Sequence, residues 1–161
     1  MSDSLVRELL KTCATYSFES EEWSVPINEV LAGVDADEAL WKPTASTPSI
    51  WEIVLHVAVW NENIARRIEA RSAVHPPEGA WPALPEARGQ ANWEGDVSRL
   101  DASLAILKRL AEETPLEEIA QGPYGVPDLV CRYLHVAYHI GQITKLREWY
   151  LATRRLASPA Y

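Results

Sequence analysis

The sequence predicts an all-α protein, a four-helix bundle with a long crossover connection. Apolar residues recur at helical spacing in four long segments, and no strand-like alternation competes with them. A proline- and glycine-rich stretch between the second and third segments is too long for a hairpin turn, which gives the chain room to cross the bundle there. With 161 residues, no internal repeat and no low-complexity tract, positions 1–161 are expected to form one domain.

The first segment carries Leu5, Leu9, Cys13 and Tyr16 and resumes after Pro26 with Ile27, Val30, Leu31 and Val34. It reads as one kinked helix or two consecutive ones. Gly33 and the acidic run Asp35-Ala36-Asp37-Glu38 predict a stop and a short turn that ends at Trp41-Lys42-Pro43. The second main helix begins near Pro48. Thr47 can cap it with Pro48 as its first residue, or Ser49 and Glu52 can form a capping box two residues later. Either start places His56 inside the helix.

After Arg71 the periodicity ends, and Pro76, Pro77, Gly79, Pro82, Pro85 and Gly89 make residues 72–89 an irregular crossover, a lid, or both. Trp93, Val97, Leu100, Leu104, Leu107 and Ala111 then step by four and three along an apolar seam, the clearest helix in the chain. Thr114-Pro115 interrupts it. Gly122-Pro123-Tyr124-Gly125-Val126-Pro127 breaks the chain again, and Asp128 is expected to open a last helix running to about Leu151.

The charge balance excludes some functions. A formal net charge of −8, from 15 basic and 23 acidic residues, disfavours nucleic acid, because phosphate binding needs clustered Lys and Arg. No apolar run approaches membrane-spanning length, and Met1-Ser2-Asp3-Ser4 does not open a signal peptide, so a cytoplasmic protein is expected. Cys13 and Cys131 cannot build a disulfide framework and are each expected to act as buried small hydrophobes. Seven tryptophans stand beside one phenylalanine. Trp51, Trp60, Trp93 and Trp149 are expected in the core, and Trp81, in the irregular stretch, is the candidate for a pocket wall.

The histidines carry the chemistry. His135 and His139 are four residues apart and therefore share one helix face, and His56 sits in the very apolar run 50–60, where a histidine requires a polar partner. Three imidazoles suit a transition metal, zinc or nickel first and iron or manganese next, with at least one coordination position left open. That opening could generate a nucleophilic water or hold a thiol as thiolate. No serine elbow, Cys-x-x-Cys pair or phosphate loop offers a protein nucleophile instead. His75, followed by two prolines, has no such spacing and reads as a loop residue. Glu52, four residues before His56, either orients an imidazole or completes the capping box. Gln142, seven residues after His135, could reach a substrate or a group behind the metal ligands, or equally bond to another helix; Tyr138 lies partly off the histidine face and is expected in the core or an interface, and Cys131, four before His135, is expected to pack.

Leu40-Trp41-Lys42-Pro43, Ser49-Ile50-Trp51-Glu52-Ile53-Val54-Leu55-His56 and His135-Val136-Ala137-Tyr138-His139-Ile140-Gly141-Gln142-Ile143 together resemble the DinB-like superfamily of DinB/YfiT-type proteins. The resemblance implies a four-helix bundle in which His56, His135 and His139 hold the metal, and it implies frequent homodimers. It further implies an enzyme that uses a low-molecular-weight thiol of the glutathione, bacillithiol or mycothiol kind, as an S-transferase or isomerase acting on a small electrophile. A metal-dependent hydrolase, and a non-enzymatic metal-binding dimer associated with stress, are the alternatives. Residues 72–89 are not part of the matching pattern.

Overall fold

The computed structural model describes residues 2–22 and 25–157. Four long helices, α1 (Asp3–Phe18), α4 (Ile50–Ala70), α5 (Gln90–Glu112) and α7 (Gly125–Ala157), are accompanied by the short α2 (Ile27–Leu31), α3 (Ala36–Leu40) and α6 (Leu116–Ala120). No strand occurs among the described residues. α4 packs on both α5 and α7, and α1 packs on the other side of the same two helices, which gives a four-cornered bundle.

Helix directions follow from the pairs that cross the interfaces. Trp51 Nε1 donates to Asp96 and Asn61 to Ser103, so α4 and α5 run parallel, whereas His56 meeting His135 and Arg67 meeting Asp128 make α4 and α7 antiparallel. Two parallel neighbours cannot be joined by a hairpin. The segment after Arg71 therefore crosses back along the bundle, as its length predicts. It is held at several points. Val74 O accepts from Asn63 and Arg67, each at 3.0 Å, Glu78 pairs with Arg99 at 2.9 Å, and Leu84 packs on the core.

α4 is the central helix because its sequence is apolar almost all round. Ile50, Trp51, Ile53, Val54, Val57 and Ala58 are fully buried, and its start is fixed by the Ser49–Glu52 capping box in place of the Thr47 alternative. Trp51 and Trp93 meet edge to face at 5.5 Å, and each indole N–H is satisfied, by Asp96 and by Val34 O. Burying these rings fixes how α4, α5 and the chain leading to α3 sit together.

Several expectations shift. The first segment is two helices, and the inward line of α1 is Leu10, Ala14 and Phe18, while Leu5 and Leu9 are exposed, because α1 faces α5 and α7 together. The last helix opens at Gly125, not Asp128, and reaches Ala157, past Leu151. Pro127 falls in its first turn, where the missing N–H has no helical partner to lose, and Gly125 takes φ +59°, which a glycine adopts without strain. Trp149 is exposed and Trp60 only partly covered, since each lies on a flank of its helix turned away from the bundle axis. Cys131 is likewise exposed and Cys13 half-buried, so neither is the buried residue expected.

Candidate metal centre

α4 supplies His56 and α7 supplies His135 and His139, whose separation of four residues stacks them on one face of the helix. The rings converge. His56 Nε2 lies 2.9 Å from His135 Nε2, and His139 Nε2 lies 3.1 Å from the same atom. Among the described residues these three histidines form a group that could hold a metal ion, with donor atoms within 4.8 Å of one another.

The outward nitrogens set the tautomers of two rings. His56 Nδ1 lies 2.6 Å from Ala80 O, and a carbonyl can only accept, so His56 carries its proton on Nδ1. His139 Nδ1 lies 2.7 Å from Gln142 Oε1 and carries its proton there for the same reason; the other end of that amide donates to Tyr138 Oη at 2.9 Å. Both rings therefore aim a lone pair at His135 Nε2, which can offer at most one proton. One of the two short contacts is left without a hydrogen. Protonating the rings is no remedy, because burial first, and then the neighbouring imidazoles and Arg132, push His135 down to about 3. Burial and His56 likewise bring His139 to about 4, and burial lowers His56. Two inward lone pairs, joined by a third when His135 carries its proton on Nδ1, suit a metal cation. Two of the three separations, 2.9 and 3.1 Å, come close to the roughly 3.3 Å between ligands about 2.0–2.1 Å from a tetrahedral ion, and all three donors lie within 4.8 Å. His135 Nδ1 is buried without a partner.

The irregular 72–89 segment completes the surroundings. Ala80 contributes its carbonyl, and the Trp81 ring stacks on His56 with centroids 3.9 Å apart and planes 17° apart. Trp81 is half-exposed and also walls a cleft of about 540 Å³ that is lined by Lys42, Thr47, Glu52, Leu84 and Arg88. On the other side of Thr47 and Pro48 an apolar recess of about 360 Å³ is lined by Tyr138, Gln142, Leu146 and Trp149. The centre thus lies between two surface recesses.

Not every candidate joins it. Glu52 turns away from the histidines to accept from Lys42 and from the Ser49 backbone N–H. Burial raises its pKa, yet the Lys42 and Ser49 hydrogen bonds outweigh this and hold the carboxyl below its ordinary range, so it is a poor base. Gln142 supports His139, Tyr138 accepts from Gln142 and also meets the His139 ring edge to face at 5.0 Å, His75 is an exposed loop residue, and Cys131 points outward. Two contributors escaped the sequence reading. Nothing in the composition of the crossover marks the carbonyl of Ala80, whereas Arg132 was findable, because it stands three residues before His135 on the same helix.

A helical bundle with a three-histidine centre between antiparallel helices defines the class of protein. The chain belongs to the DinB superfamily, whose family model matches residues 27–143 and so spans all three histidines. No curated protein and no solved structure matches the chain.

Proposed function

We propose that this protein is a metal-dependent enzyme in which His56, His135 and His139 hold a divalent transition metal, zinc or nickel in the first place, and which joins or isomerises a small electrophile with the help of a low-molecular-weight thiol. The observation that carries the metal is the set of inward lone pairs, held by Ala80 O and Gln142 and kept unprotonated by burial. A metal bound there supplies Lewis acidity, favouring the thiolate of a thiol in its open position.

The chain's own groups do the rest. Ala80 and Gln142 fix ring orientation, Trp81 covers one face of His56, and the cleft beyond Trp81 offers room for an electrophile. Hydrolysis at the same centre would call for a base to take a proton from water. Glu52, the nearest candidate in sequence, is committed to Lys42 and the cap, which favours the thiol reading. We further propose a cytoplasmic homodimer joined along the outer stripe of α7, where Leu134, Tyr138 and Trp149 are exposed at helical spacing.

The test is turnover. Metal-loaded protein should convert an electrophile only when glutathione, bacillithiol or mycothiol is supplied. Ester or amide hydrolysis without thiol would install the hydrolase reading instead, and no metal-dependent rate with either panel would leave a non-enzymatic metal-binding dimer.

A further inference from the structure

Among the described residues, Arg132 is a cation on the helix of His135 and His139 that makes no ion pair; Asp128 attracts it from one turn away but is hydrogen-bonded to Arg67. Other arginines of α4 and α5 are matched: Arg67 Nη1 reaches both carboxylate oxygens of Asp128 at 3.2 and 3.4 Å, Arg66 pairs with Glu62, and Arg99 with Glu62 and Glu78. Arg132 makes no ion pair and no hydrogen bond, and its Nε is buried without a partner. What holds the guanidinium is the Trp60 ring, 5.0 Å beneath it, a ring that also carries Arg67 at 5.3 Å.

The placement is specific to the centre. Trp60 follows His56 by four residues on α4, and Arg132 precedes His135 by three on α7. Because these helices are antiparallel, both offsets run the same way and put Trp60 and Arg132 about one helical turn along the bundle from the histidines.

A half-buried, unpaired cation is unfavourable by itself and more so beside a second positive charge. A divalent ion on three neutral imidazoles would be such a charge, and no carboxylate among the described residues joins the histidines to offset it. The missing negative charge must then come from what binds. A guanidinium over an indole ring offers planar, paired donors, a geometry that matches the two oxygens of a carboxylate.

We infer that the thiol used by this protein carries a carboxylate, and that Arg132 holds this carboxylate while the sulfur faces the three histidines. The inference rests on the metal reading above. It is tested with cobalt(II) as the probe metal, read by its visible absorption. Wild-type protein is first assayed for cobalt bound, then titrated with mercaptopropionate and with mercaptoethanol, which differ in the carboxylate.

The wild type should bind mercaptopropionate at least about tenfold more tightly than mercaptoethanol. Arg132→Met should remove that preference by weakening mercaptopropionate alone, and Arg132→Lys should keep part of it. Equal binding of the two thiols by the wild type, or an undiminished preference in Arg132→Met with full cobalt, would overturn the inference while leaving the metal centre standing. Failure of the wild type to take up cobalt at the histidines would overturn both.

Discussion

At the scale of single residues, what sets this centre apart is that its histidines are oriented by groups of very different visibility. His135 and His139 could be paired from their spacing, and His56 could be added because an imidazole in so apolar a helix needs a partner. Their convergence to 2.9 and 3.1 Å was therefore legible, as was Gln142, one turn beyond His139. The contact from Ala80 was not, since a backbone carbonyl has no signature in a sequence. Glu52 shows the opposite error: a carboxylate one turn from His56 suggested chemistry, and the capping box and Lys42 took it. Gln142→Leu should strip His139 of its orienting acceptor and weaken metal binding by roughly 10–100-fold with the helical circular dichroism unchanged. His75→Ala, in the exposed loop, should leave metal affinity at the wild-type value in the same titration.

At the scale of elements, helix existence was readable wherever one apolar face is buried, and helix ends were readable only where a cap fixes them. Ser49 and Glu52 mark the start of α4 unambiguously once both halves of the box form. Ser49→Ala should lower stability by about 1 kcal/mol in urea unfolding, because the box is lost at the helix that carries His56. The start of α7 was misplaced because Pro127 reads as a break, yet the first turn of a helix tolerates proline. Residues 72–89 were legible as irregular and long, but their path was not. Only the structure shows that the crossover lays Trp81 on His56 and brings Ala80 within hydrogen-bond distance. Trp81→Ala should change substrate preference, read as the ratio of kcat/KM for small and bulky electrophiles, while metal content stays near that of the wild type. A loss of metal as large as that in a histidine variant would instead make the indole part of the metal's support.

At the scale of the whole molecule, the all-α bundle followed from periodicity, and the crossover from the length of one connection. The exposed stripe of α7 did not follow, because Leu134, Tyr138 and Trp149 look in sequence like any other core positions. Light scattering at micromolar concentration should give a dimer mass, and a monomer would refute the proposed pairing. The acid response of the metal-free protein has a definite sign. All three histidines titrate below their ordinary value of 6.5, to about 3 for His135 and about 4 for His139, so between those values the unfolded chain binds more protons than the folded one. Their contribution is complete above about pH 6.5 and is lost as the pH falls toward the folded values. With chelator present, the urea midpoint should drop between pH 7.5 and 5, where carboxylates stay ionised, and replacing all three histidines with Gln should flatten that drop. Catalysis and thiol binding both depend on a bound metal, which elemental analysis of untagged protein reads without any substrate. The wild type should hold about one transition-metal ion per chain, and His56→Ala, His135→Ala and His139→Ala nearly none, as expected of a site with three protein ligands. Equal metal content in the wild type and those three variants would contradict a metal site at these histidines.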